Sequence, residues 1–129
     1  MKKFSYYPGC TSHTSSKEYD MSVRAVFSVL GVELVEIEDW NCCGALEVES
    51  PLLAYALNAR NLVLAEKTGL DLVVPCSACF YNLGRTDYAL RDEELRRRIG
   101  TSYARRIKVR HVLDVLANDF LEEIKTRAK

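Results

Sequence analysis

The sequence has no surplus of charge of either sign: 18 Lys and Arg stand against 18 Asp and Glu in 129 residues. Domains that grip a nucleic-acid backbone usually carry a basic excess, so the balance argues against a nucleic-acid partner. Proline and glycine are scarce, at three and six residues, and no low-complexity stretch occurs, while 48% of the residues are hydrophobic. That composition fills one core and excludes an intrinsically disordered chain. No uncharged run approaches the roughly 18 residues that a membrane span requires. Met1-Lys2-Lys3-Phe4-Ser5 also lacks the apolar stretch of an export signal. The expectation is a single cytoplasmic domain over residues 1–129, with no membrane span. What the chain does have is five cysteines: Cys10, the pair Cys42-Cys43, and Cys76 and Cys79 in Cys76-Ser77-Ala78-Cys79.

An odd number of thiols in a chain without an export signal suits metal or thiol redox chemistry better than a disulfide framework. Local signals place the three groups. Phe4 to Tyr7 predicts a short strand stopped by Pro8-Gly9, and Cys10 follows at once. Ser15-Ser16-Lys17-Glu18 reads as a capping box for a helix with the stripe Tyr19, Val23, Val26, Phe27 and Leu30, ending at Gly31. Val32 to Ile37 predicts a strand with at least one irregularity, because adjacent Leu34 and Val35 interrupt its alternation. A loop from Glu38 to Ser50 carries Cys42 and Cys43. Ser50-Pro51 opens a second helix, with Leu52, Leu53, Ala56, Leu57, Val63 and Leu64 as its apolar stripe and Gly69 as its end. Asp71 to Val74 reads as a buried parallel strand stopped by Pro75-Cys76. A helix from Ser77 at least to Leu83, a charged helix from Asp92 to Ile99, a fourth strand from Ile107 to Val109 and a closing helix from Val112 to Ile124 complete the prediction.

Strands alternating with helices, joined by right-handed crossovers, give a small parallel Rossmann-like α/β sheet of about four strands with helices on both faces. Ligands of such sheets bind in the loops after the carboxyl ends of the strands. Cys10, Cys42-Cys43 and Cys76 each follow a different strand, so the order predicts that they converge at one edge, with His111 near it. A closed zinc site needs four ligands, which leaves one cysteine over, and neighbouring side chains diverge. Divergence suits a multi-iron cluster, which offers separate irons and requires soft thiolates. Two alternatives stay open on the residues alone: zinc stapling a structural or interaction domain, and a thioredoxin-like Cys76 and Cys79 dithiol. The stretches from Cys10 to Asn41 and from Gly44 to Val74 offer no obvious lysine or arginine beside the cysteines, their few basic residues standing at least seven positions away. Backbone N–H groups at the helix starts after Cys10 and at Ser77 are therefore expected to face the negative charge. His13, three residues past Cys10, is a candidate proton donor to a departing thiolate, set against a local hydrogen-bonding role. Arg85 to Arg110 holds nine basic residues against four acidic ones, and Glu33 to Glu49 six acids and no base. Both read as solvated faces, with docking of a partner or attraction of an anionic substrate as the functional reading.

The pattern Tyr7-Pro8-Gly9-Cys10, Trp40-Asn41-Cys42-Cys43-Gly44 and Pro75-Cys76-Ser77-Ala78-Cys79 resembles the CCG cysteine-rich domain of the B-type subunit of heterodisulfide reductase and related proteins. Val109-Arg110-His111-Val112-Leu113 is similar to the end of that domain. The resemblance implies a noncubane 4Fe-4S cluster held by Cys10, Cys42, Cys43, Cys76 and Cys79, which carry the chemistry through the cluster. It places Gly9, Gly44 and Ser77 beside the cofactor, Gly44 permitting close backbone approach. It implies cleavage of a disulfide, in methanogens the mixed disulfide of coenzyme M and coenzyme B. The implied partners are the iron–sulfur (C-type) and flavoprotein (A-type) components of such a reductase, or a second CCG domain, since family members generally carry two in tandem and this chain holds one.

Overall fold

A computed structural model describes residues 2–9, 17–43 and 50–127. Among the described residues the elements run β1 (Lys2–Tyr6), α1 (Lys17–Val29), β2 (Val32–Glu36), α2 (Pro51–Thr68), β3 (Leu72–Val74), α3 (Ser77–Ala89), α4 (Glu93–Ile99), β4 (Val109–His111), α5 (Val112–Asp119) and α6 (Leu121–Arg127). The four strands form one parallel sheet in the order β2-β1-β3-β4. The Rossmann-like α/β architecture expected from the alternation of elements is the one observed. Leaving β1, the chain first builds outward to β2 and then returns past β1 to β3. The helices that follow β1 and β3 therefore pack on opposite faces of the sheet, the arrangement at whose carboxyl edge open parallel sheets bind ligands.

Each face of the sheet carries its own apolar cluster, because successive strand residues point to opposite sides. Leu72 and Val74 join Tyr7, Ile37, Cys43, Leu62, Cys79, Leu83 and Tyr103 on the face covered by α2 and α3. Val73 joins Phe4, Tyr6, Val23, Phe27, Val115 and Phe120 on the face covered by α1 and α5. Local signals fix several boundaries. Ser50 caps α2 by accepting from the Leu53 N–H, Pro51 takes its first turn, and Gly69 ends it at φ +72°. Asp92 caps α4 and Gly100 closes it at φ +77°.

Several expectations need correction. Tyr19 and Val26 of the expected α1 stripe are exposed, while Asp20, Val23 and Phe27 are buried. β2 pairs with β1 in unbroken register from Val32 to Glu36, with no bulge. The broken alternation reflects an edge strand whose residues from Leu34 to Glu36 are half-buried on both faces. The fourth strand lies later than Ile107 to Val109, at Val109–His111. The Glu66 carboxylate accepts from the N–H groups of Ala104 and Arg106, and the Asp71 carboxylate from that of Lys108, so side chains hold this backbone before the sheet does. The closing helix is two helices, broken at Phe120, whose φ of −130° turns its ring into the core. Finally, α2 buries Asn58, Ala59, Asn61, Leu62 and Ala65, while Leu52 and Leu53 of the expected stripe are exposed. Two asparagines in the buried face serve the site described next. The capping box at Ser15 and Ser16 lies outside the described residues.

Candidate functional site

All four strands point the same way, so the segments leaving them meet at one edge. β1 runs into Tyr7-Pro8-Gly9, β2 into the loop bearing Cys42 and Cys43, β3 into Pro75-Cys76, and β4 ends at His111. The sulfurs of Cys43 and Cys79 lie 3.5 Å apart across 36 residues of sequence. Both are buried, and Cys42 and Cys76 are half-buried. Gly9, at φ +89°, packs against the Cys76 to Cys79 turn: a Cβ there would meet Cys79 Sγ at 3.5 Å and Cys76 Cβ at 3.8 Å. The segment after β1 is thus laid directly on the Cys76 to Cys79 turn. Cys10, His13 and Gly44 lie outside the described residues, so their expected places are not among these contacts.

The Cys76 to Cys79 turn is itself a helix start. Cys76 is the N-cap of α3, in extended conformation, and its Sγ accepts from the Cys79 N–H at 3.5 Å. Ser77 is the first helical residue, as expected, and the amide end of a 13-residue helix faces the sulfurs. His111 caps α5 by accepting from the Leu113 N–H on Nδ1, which leaves its Nε2 3.4 Å from Ser77 Oγ. Its ring meets Phe80 edge-on. The sequence places His111 just past the fourth strand; it is that strand's last residue, and it reaches the expected edge. Tyr19 on α1 donates to the Pro75 carbonyl at 3.2 Å. Burial raises the pKa of its phenol, and Cys76 close by adds to the effect.

Asparagines pin the loop that carries the vicinal pair, and sequence reasoning missed them. Asn61 grips Asn41 at both backbone groups, accepting from its N–H at 3.0 Å and donating to its carbonyl at 2.9 Å. Tyr7 donates to the same carbonyl at 2.8 Å and meets Trp40 edge-on. Asn41 donates to the Cys42 carbonyl, and Asn58 to those of Cys43 and Ala54. Asn82 on α3 donates to Cys43 Sγ at 3.8 Å. Arg60 reaches from α2 to the same loop, donating to the Asp39 carbonyl and to Asn41 Oδ1 while its charge is paired with the Asp39 carboxylate. The only sequence signal for this network is polarity out of place: Asn58 and Asn61 interrupt an apolar helix face three residues apart.

The donor set is sulfur, held at the carboxyl edge where open parallel sheets bind ligands and backed by a helix amide end. That chemistry fits a soft-metal cluster better than hard cations. Among the described residues, no three Cys, His, Asp or Glu side chains form a group able to hold a single metal ion. The Cys79 pKa is raised, first by the hydrogen it shares with Cys43 and then by burial. Two such sulfurs cannot both carry charge cheaply without a cation between them. Metal coordination reverses this by deprotonating the thiol. Among the described residues, no helix is long and apolar enough to cross a membrane.

Comparison with known proteins bears on the same residues. The model of the cysteine-rich CCG domain matches residues 4–84. The chain is 36% identical over 137 residues to the membrane anchor of the 8-methylmenaquinol:fumarate reductase of Wolinella succinogenes, covering 99% of this chain and 48% of that one. It is 31% identical over 141 residues to an Archaeoglobus profundus protein described as like the B-type subunit of heterodisulfide reductase, covering 100% and 47%. With the B-type subunit of the ferredoxin/F(420)H(2)-dependent CoB-CoM heterodisulfide reductase of Methanosarcina acetivorans the identity is 26% over 127 residues, covering 90% and 42%. The chain spans about half the length of the curated relatives it matches.

Proposed function

Because the chain belongs to the CCG cysteine-rich domain family, we propose that it is the iron–sulfur domain of a heterodisulfide-reductase-like oxidoreductase, a single domain over residues 1–129. The observation that carries this reading is the meeting of Cys43 and Cys79, 3.5 Å apart, with Gly9 packed on Cys76 and Cys79 at the carboxyl edge of the sheet. The proposed cofactor is a noncubane 4Fe-4S cluster and the proposed ligands are Cys10, Cys42, Cys43, Cys76 and Cys79. Such a cluster supplies one-electron transfer and a thiophilic iron. The rest falls to the chain. Gly9 and Gly44 allow the backbone to approach closely, and the first turn of α3 from Ser77 turns N–H groups toward negative charge. His13 is the proposed proton donor to a leaving thiolate. Asn41, Asn58 and Asn61 hold the loop of the vicinal cysteines in place.

The relatives are named for two different reactions, which favours electron transfer as the shared task. The specific reaction we propose is reduction of a thiol–disulfide substrate of the CoM-S-S-CoB type, with cytoplasmic partners: an iron–sulfur protein, a flavoprotein or a second CCG domain. Anaerobic reconstitution tests the cofactor. About four irons and four sulfides per chain are expected, and Cys43→Ser is expected to lose most of that iron while keeping its far-UV circular dichroism. Uptake of one zinc and no iron, unchanged in Cys43→Ser, overturns the reading in favour of a zinc-stapled scaffold.

A further inference from the structure

Of the four asparagines around the cysteine loop, three act on backbone groups. Asn41, Asn58 and Asn61 donate to carbonyls of the loop or of α2. Asn82 differs. Among the described residues its side-chain amide has one hydrogen-bond partner, Cys43 Sγ at 3.8 Å, within the longer reach of a bond to sulfur. The contact follows from α3. Asn82 stands three residues after Cys79, so both side chains lie on the same helix face, and Cys43 Sγ sits 3.5 Å from Cys79 Sγ on that face. Cys43 itself is fixed from the other side, where Asn58, 1% exposed, donates to its carbonyl at 3.0 Å. The backbone of Cys43 is thereby anchored, and from it the sulfur lies within reach of both the Asn82 amide and Cys79 Sγ. An amide that served only to stabilise the fold would be expected on a backbone carbonyl, as its three neighbours are, because a neutral thiol is a weak acceptor. A sulfur carrying ligand charge is a better one.

We propose that Asn82 is a positioning residue, its N–H set on Cys43 Sγ to orient that sulfur as a ligand and to raise the reduction potential of the cluster it holds. The inference rests on the iron–sulfur reading above. A hydrogen bond to a ligand sulfur withdraws electron density and favours the reduced state, so its loss moves the potential down.

The test compares wild type, Asn82→Leu, which keeps the bulk and loses the donor, and Asn82→Gln, which restores an amide on a longer arm. Iron and sulfide content, far-UV circular dichroism and the midpoint potential are measured on anaerobically reconstituted protein. Wild type without iron defeats the function proposed above. With wild type loaded, N82L is expected to load and fold but to titrate lower. At a fixed poise its ratio of reduced to oxidised cluster falls about tenfold, equivalent to ~59 mV for one electron, and N82Q recovers part of the difference. A folded N82L that loses iron which N82Q regains also supports positioning. An N82L potential equal to wild type, or an N82Q potential no higher than that of N82L, overturns the proposal. Should N82L fail to fold, Asn82→Ser, too short to reach the sulfur, is expected to titrate as low, and a wild-type potential there overturns it equally.

Discussion

Gly9 shows what a single residue contributes at this edge. Its φ of +89° costs an alanine about 1–2 kcal/mol, and the added methyl would sit 3.5 Å from Cys79 Sγ, inside the space between the β1 segment and the α3 start. Gly31 provides the control, with φ +75° and nothing within 4 Å of an added Cβ. Both Gly9→Ala and Gly31→Ala are expected to lose about 1–2 kcal/mol in urea unfolding, but only Gly9→Ala is expected to lower iron uptake on reconstitution. Equal uptake in the two variants would separate Gly9 from the site. At this scale the sequence was informative about the cysteines and about Pro8-Gly9. It was silent on Asn82, because a half-exposed polar residue on a helix is ordinary until its neighbour in space is known to be Cys43.

The elements are tied to one another by charge where the apolar pattern is weak. Arg110 leaves β4 and holds Asp114 of α5 at 2.8 Å and Asp119, at the end of α5, at 2.7 Å. Lys2 of β1 reaches Asp119 as well, at 3.5 Å. These contacts fix the helix end next to Phe120, where the chain turns before α6. The hydrogen bond from Arg110 is the main cause that lowers the pKa of both carboxyls. A carboxyl whose folded pKa lies below its unfolded value of about 3.9 contributes stability that is fully present above that value. The contribution is lost as pH falls through the depressed folded pKa. Acid titration of stability is therefore expected to drop below about pH 4, and Arg110→Leu is expected to flatten that limb while lowering stability at neutral pH. A limb of unchanged steepness would show that other carboxyls set it. The sequence pattern over Val112 to Ile124 reads as one helix because apolar spacing continues through Phe120. The break comes from a long-range ion network and a buried ring, which periodicity does not register.

For the molecule as a whole, the two faces of the sheet differ in their dependence on the site. Cys43 and Cys79 are part of the cluster that includes Tyr7, Leu62 and Leu83, whereas the cluster around Phe4, Phe27 and Phe120 contains no cysteine among the described residues. Apolar burial on both faces supports the sheet without metal. Metal-free protein is therefore expected to keep its α/β circular dichroism, and reconstitution to raise Tm, since a ligand that binds only the native state stabilises it. Collapse of the far-UV signal on chelation would instead mark a metal-dependent fold.

The sequence by itself determined the alternation of strands and helices, both caps of α2 and the three cysteine groups, because each is a local property of spacing, turn chemistry and side-chain type. It also determined that Cys42-Cys43 and Cys76 follow strands. Only the tertiary structure decided that β3 returns beside β1, that Asn58 and Asn82 meet at Cys43, and that Asn61 and Arg60 hold Asn41 in the loop before it. The physical reason is that an amide or guanidinium takes its role from the atom it meets. In this fold that atom belongs to an element many residues away.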